Sequence, residues 1–158
     1  MGQRDSLVIT VPGRRSVAVS RAVLDFNGTL ARDGRLLPGV AARLRKLGRR
    51  LRIVVATADT FGKARSALEG LPVDLEIVET GRDKLRLLTR LGPSHAVAIG
   101  NGRNDVLMMR KAALSIAVMG PEGVAGELLA VADVVVRDVR EAMDVLLHPL
   151  RLSATLRS

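Results

Sequence analysis

The sequence predicts a three-layer α/β fold, a mainly parallel sheet with helices on both faces. Three observations lead there. Short apolar runs rich in β-branched residues alternate with amphipathic stretches along most of the chain. The 158 residues, 47% of them hydrophobic, suit one domain burying roughly two-thirds of its unfolded surface, with residues 1–20 as an extension and 148–158 as a tail. With 26% charged residues and no apolar run near the roughly 18 residues of a membrane span, the disordered and integral-membrane classes drop out.

Taken in order, residues Leu7 to Ser20 alternate apolar and polar positions around Pro12-Gly13, a β-hairpin that could cover an edge or a partner. Ala22 to Phe26 is the first strand, followed by a loop at Gly28. A helix runs from about Pro38 to Arg50, with Val40, Leu44 and Leu47 at helical spacing and Pro38 suited to the first turn. Arg52 to Thr57 reads as a strand, Phe61 to Leu68 as a short helix, Val73 to Val78 as a strand and Asp83 to Leu91 as a helix. His95 to Ile99 and Leu114 to Val118 are strands around a helix from about Asp105 to Ala113. Glu122 to Ala130 as a helix, Val134 to Val136 as a strand and Arg140 to Leu147 as a helix complete the series. The tail from His148, with Pro149, is either a docked extension or a frayed end.

The absence of cysteine excludes disulfides, thiolate metal sites and a Cys nucleophile. Nothing at Met1 to Asp5 reads as a signal or transit peptide, so a soluble, cytoplasmic protein is the default expectation. A net charge of +9 invites nucleic-acid binding, yet 21 of the 25 basic residues are arginines spread from Arg4 to Arg157. The densest group, Arg43, Arg45, Lys46, Arg49, Arg50 and Arg52, suits the carboxyl end of a helix. Without Trp or Tyr, and with only Phe26 and Phe61, aromatic platforms for unpaired bases are missing. A solvated basic surface is therefore favoured, with nucleic acid kept as a third reading.

In an open α/β sheet ligands bind beyond the carboxyl ends of the strands, so the polar residues directly after each apolar run carry the information. These are Asp25-Phe26-Asn27-Gly28-Thr29-Leu30, then Thr57-Ala58-Asp59, then Gly100-Asn101-Gly102-Arg103-Asn104-Asp105. A carboxylate ending a buried strand is costly unless it binds a cation, reacts or caps backbone donors. Alone, Asp25 could be a turn residue and Asp105 an N-cap. Asp59 could cap the helix at Phe61, Asp133 starts a strand, His95 and His148 lack ligand partners, and Met108 and Met109 read as core. Gly100-x-Gly102 and Gly62-Lys63 lack the remaining residues of the dinucleotide and P-loop motifs.

Together, Asp25-Phe26-Asn27-Gly28-Thr29-Leu30, Thr57, Lys84 and Gly100-Asn101-Gly102-Arg103-Asn104-Asp105 resemble the four ordered motifs of the haloacid-dehalogenase superfamily. The match spans Asp25 to Asp105, and the later strand and helix pairs resemble the rest of its Rossmann-like core. The short connections and Thr57-Ala58-Asp59 look most like the small soluble relatives of the P-type ATPase phosphorylation domain.

The resemblance implies phosphoryl transfer, with Asp25 as the nucleophile that forms an aspartyl phosphate. Thr57 and Lys84 would hold the phosphoryl oxygens, backbone N–H groups near Gly28 and Thr29 would complete the cradle, and Asn104 would orient the last loop beside the phosphate. Lys84, flanked by Arg82 and Arg86, could equally be a solvated helix-start lysine. Mg2+ would be held by Asp25, the Asn27 backbone carbonyl and the last motif through Asn101 or Asp105. Two departures matter. Asn27 stands where phosphatases of the superfamily carry a second Asp as acid and base, and Asn101 stands where the magnesium-binding Asp is usual. Turnover of ordinary phosphate esters should therefore be slow, and a catalytically weakened phosphate-binding or regulatory module is the alternative. Dehalogenases also depart at these positions, but they carry a helical cap, for which 32 residues from Asp25 to Thr57 and 27 from Thr57 to Lys84 leave no room. A capless site implies a large substrate or closure by a neighbouring subunit. Capless sugar-phosphate phosphatases close theirs as tetramers, so the expectation is a small-molecule phosphate substrate, a homo-oligomer closed by the hairpin or the tail, and no membrane.

Overall fold

The computed structural model describes residues 6–158; the first five residues of the expected extension lie outside it. Strands β1 (Leu7–Ile9) and β2 (Val17–Val19) pair antiparallel as the hairpin read from the sequence. Gly13, at φ 77°, provides the left-handed residue of its turn. Then follow β3 (Arg21–Leu24), β4 (Ala31–Arg32), β5 (Arg35–Leu36), α1 (Val40–Leu47), β6 (Arg52–Thr57), α2 (Ala64–Ala67), β7 (Val73–Ile77) and α3 (Gly81–Leu91). The chain continues through β8 (Ala96–Gly100), α4 (Val106–Lys111), β9 (Leu114–Val118), α5 (Gly126–Val131), β10 (Val134–Val136), α6 (Val139–Leu147) and α7 (Pro149–Leu156).

Six of these strands form one all-parallel sheet in the order β10-β9-β8-β3-β6-β7. Counting only its own strands, the order is 3-2-1-4-5-6, the doubly wound arrangement whose ligand crevice opens where the order reverses. That point lies between β3 and β8. The strands' period of two sorts side chains by size. Leu24, Ile53, Val55, Val97, Ile99, Leu114 and Ile116 share one face with α1, α6 and α7, while Val23, Val54, Ala56, Ala96, Ala98 and Ala117 meet α3, α4 and α5 on the other.

Several elements differ from the sequence reading. The helix expected over Glu122 to Ala130 is α5 at Gly126–Val131, because Gly120 and Gly123 take positive φ and hold the preceding segment as a loop. The helix expected from Phe61 is only the single turn of α2, its start displaced by Gly62 at φ 63°. The β4–β5 hairpin was not anticipated. Asp33 and Gly34, at φ 51° and 76°, form its two-residue turn, a dipeptide strongly suited to that geometry. The tail is helical: Leu152 of α7 is buried against the hairpin side of the core, while Leu150 is exposed. Ser20 N–H donates to His95 O where β3 and β8 begin, so the hairpin sits at the amino ends of the strands, opposite their carboxyl edge. Within one chain it therefore does not close a site at that edge. Among the described residues, no helix is long and apolar enough to cross a membrane.

Candidate active site

Asp25 follows β3 and Asn101 follows β8, so both stand at the point where the strand order reverses. The Phe26 carbonyl accepts N–H bonds from Thr29, Leu30 and Ala31, which winds the chain into a tight loop directly behind Asp25. Gly28 must be glycine: at φ 77°, a Cβ would meet Asn101 Nδ2 at 2.5 Å and Glu122 Oε2 at 2.6 Å.

Asp25 is 7% exposed. Lys84 Nζ donates to its Oδ1 at 2.8 Å and to Asp105 Oδ1 at 2.6 Å. Lys84 reaches this position because Thr80 and Asp83 form a capping box that starts α3, whose buried stripe is Lys84, Leu87, Leu88 and Leu91. The lysine thus occupies an apolar-stripe position and aims its ammonium out of the end of the core. At 1% exposure it is not the solvated helix-start residue the sequence left open. Burial pushes Asp25 up to about 6, reinforced by the nearby Asp105 charge and opposed by Lys84. Burial alone would lower Lys84, but the two carboxylates outweigh it and the net shift is upward.

Asp105 uses its second oxygen to accept the Asn101 and Gly102 N–H groups at 3.1 and 3.0 Å, which folds the last loop onto Lys84. The Thr29 hydroxyl lies 3.2 Å from both Asp25 Oδ2 and Asn101 Oδ1. With one proton it satisfies one of the two acceptors at a time. Asn101 is fixed further by its Nδ2 donating to Gly123 O and by Ala125 N–H donating to its backbone carbonyl.

The other expected residues divide. Thr57 ends β6, next to β3, and is 3% exposed; its Oγ1 accepts from Asp59 N–H, leaving the hydroxyl proton to donate elsewhere. Asp59 caps α2 through the Lys63 and Ala64 N–H groups. Asn104 is exposed and packs on Gly81 at the start of α3, without a hydrogen bond into the Asp25 cluster. Of the N–H groups in the expected cradle, Gly28 N–H donates to Ala31 O and Thr29 N–H to Phe26 O within the tight loop. Met108 and Met109 are core, and His95 Nδ1 contacts Ala18 O on the hairpin. Asp133 clamps the start of β9 through Ser115. One residue was missed: Glu122, in the loop after β9, reaches the Gly28 loop. Reading the residues after the fifth strand as those after the others were read would have found it.

Asn27 Oδ1 is buried with no hydrogen-bond partner among the described residues, an acceptor that favours a nearby donor or cation. Asp25 Oδ2 and Asn101 Oδ1, both within reach of the Thr29 hydroxyl, make a pair of oxygens suited to a hard cation. Among the described residues no three Asp, Glu, His or Cys side chains gather to hold a metal. The set therefore fits an ion that keeps several waters and shares phosphate oxygens, as Mg2+ does, better than a fully caged one.

No family model matches the sequence. Solved structures of haloacid-dehalogenase-family hydrolases and phosphatases share this fold. The 3-deoxy-D-manno-octulosonate 8-phosphate phosphatase of Moraxella catarrhalis, solved with magnesium, phosphate and its sugar, is 18% identical with a TM-score of 0.62, covering 86% of this chain and 90% of that one. The cobalt-bound deoxy-D-mannose-octulosonate 8-phosphate phosphatase of Haemophilus influenzae is 17% identical with a TM-score of 0.63, covering 86% and 91%. A haloacid dehalogenase-like family protein of Streptococcus pneumoniae is 13% identical with a TM-score of 0.59, covering 80% and 97%. Over 78 residues, 47% of the chain, the sequence is 41% identical to the uncharacterized protein MJ0073 of Methanocaldococcus jannaschii, 84% of whose length is covered, and the chain belongs to that protein's family.

Proposed function

We propose that the chain is a magnesium-dependent phosphatase or phosphotransferase that works through an aspartyl phosphate on Asp25. The observation that carries this reading is the buried Asp25, Lys84 and Asp105 cluster at the strand reversal. A carboxylate held there beside an ammonium has one oxygen oriented by Lys84 and the other free to attack once the Thr29 hydroxyl turns to Asn101. As the Asp25 oxygen bonds to phosphorus, the bond to the leaving oxygen breaks, and charge on the transferred phosphoryl group is met by Lys84 and the Thr57 hydroxyl. Magnesium, held by Asp25, the Asn27 backbone carbonyl and Asn101, would neutralise further phosphate charge, because both Asp105 oxygens are engaged by Lys84 and the last loop. Asn104 acts by seating the last loop on α3.

Asn27 can neither give nor take a proton, and a positioned acid–base is worth roughly a hundred- to ten-thousandfold. Substrates with good leaving groups, such as acyl or aryl phosphates, therefore suit this site best. The short connections around Asp25 and Thr57 support a capless site like that of the soluble P-type ATPase relatives, closed by a large substrate or by neighbouring copies in a homo-oligomer such as a tetramer. A monomer mass in solution would overturn closure by neighbouring copies. The amides at Asn27 and Asn101 favour one other reading, a phosphate-binding module without turnover. Phosphate release from acetyl phosphate with Mg2+ separates them: turnover lost in Asp25→Asn supports the enzyme, and none in either protein supports the module.

A further inference from the structure

We propose that Glu122 is the acid and base of this site, taking the role for which Asn27 lacks a proton. The inference rests on the phosphoryl-transfer reading above. Glu122 Oε2 stands 2.6 Å from the point a Gly28 Cβ would occupy, hence within about 4 Å of the Gly28 Cα, one C–C bond further on. Asn101 Nδ2 stands 2.5 Å from the same point, so the Gly28 loop, the Asn101 amide and the Glu122 carboxylate meet around one small volume. The loop that carries Glu122 is built for that approach. Asn101 bonds Gly123 O and Ala125 N–H, and Gly120, at φ 43°, passes so close to Gly28 O that a Cβ there would lie 2.4 Å from it.

Of the other carboxylates at this edge, Glu79 follows β7, two strands away from β3, and four more are committed. Asp59 caps α2, Asp83 caps α3, Asp138 caps α6, and Asp105 holds the last loop and Lys84. Glu122 makes no hydrogen bond or ion pair among the described residues, yet it is the carboxylate brought to the nucleophile's loop. In-line displacement puts the leaving oxygen on the far side of phosphorus from Asp25, toward the solvent mouth. Glu122 is exposed beside the loop that follows Asp25, and the proposal assigns it to that side.

In the first step the Glu122 carboxylic acid gives its proton to the leaving oxygen as the Asp25 oxygen bonds to phosphorus. In the second, the Glu122 carboxylate takes a proton from water as the water oxygen bonds to phosphorus and the Asp25 carboxylate departs. Water and ester thus become phosphate and alcohol, with both side chains restored.

The test compares wild type, Glu122→Gln and Glu122→Gln with Asn27→Asp on acetyl phosphate and on an alkyl phosphate, with hydrolysis of the phosphoenzyme followed after a single loading. Glu122→Gln is expected to lose about a hundredfold or more on the alkyl ester, far less in Asp25 phosphorylation by acetyl phosphate, and to prolong the phosphoenzyme. Asn27→Asp in that background is expected to restore much of the loss. Equal small effects on both substrates and an unchanged phosphoenzyme lifetime would overturn the role of Glu122 while leaving Asp25 in place. Absence of Asp25 phosphorylation in wild type would instead overturn the reading beneath it.

Discussion

Replacing Lys84 by Met tests whether the cluster is an electrostatic unit, and the structure sets the size of the effect. Methionine keeps much of the chain length and removes the charge. The 2.8 and 2.6 Å bonds to Lys84 place Asp25 Oδ1 and Asp105 Oδ1 no more than about 5.4 Å apart. At an effective dielectric of about 20, two carboxylates at that distance repel by about 3 kcal/mol, and breaking one partner out of a buried pair costs about 3–5 kcal/mol in total. An exposed lysine would contribute under about 1 kcal/mol. Lys84→Met is therefore expected to lose about 3–5 kcal/mol at pH 8, with the deficit shrinking on acidification as Asp25 takes up a proton. Urea unfolding followed by far-UV circular dichroism measures this, since the chain has no Trp or Tyr for fluorescence. Adding Asp25→Asn to Lys84→Met should recover a large part of the loss and covers the case in which the single variant fails to fold. A deficit below about 1 kcal/mol, or one independent of pH, would refute the cluster as drawn.

Three further outcomes follow from the same geometry. In EDTA, Asp25→Asn should be more stable than wild type above pH 6 and approach it near pH 4. The folded-state pKa of about 6 lies above the ordinary carboxyl value of 3.8, so the contribution of Asp25 is present below pH 3.8 and is lost, by on the order of 3 kcal/mol, as pH rises through 6. Equal stabilities across that window would count against the buried carboxylate. In the Glu122→Gln background, Asn27→Asp should raise alkyl-phosphate hydrolysis at least tenfold in steady-state assays, because it returns a proton donor beside the nucleophile, and no gain would indicate that position 27 does not face the leaving group. Leu152→Ala should cost about 2–4 kcal/mol in urea unfolding, as a fully buried leucine truncated against the hairpin, whereas a frayed tail would show almost no change.

Much of this architecture was readable from the residues because burial leaves a local signature. Past Arg21, the β3 and β8 runs are apolar, and polar residues begin where each strand leaves the core, which is why Asp25, Thr57 and the loop from Asn101 to Asp105 could be named in order. Lys84 carried a signal too, since it shares the helical stripe of Leu87, Leu88 and Leu91. What escaped depends on long-range contact. Glu122 matters through its approach to Gly28, 94 residues earlier, and the N–H groups of Gly28 and Thr29 are consumed by a turn whose closure no spacing reveals. The β4–β5 hairpin was available in Asp33-Gly34, yet strands of two residues are too short to show alternation.

The central claim, that Asp25 is a nucleophile, is tested most directly by intact mass after incubation with Mg2+ and acetyl phosphate, beside an Asp25→Asn control. The account predicts one hydroxylamine-sensitive phosphate adduct on the wild type and none on the variant. An adduct on both proteins, or a wild type that neither takes up phosphate nor releases it from any of a panel of phosphate esters, would contradict it.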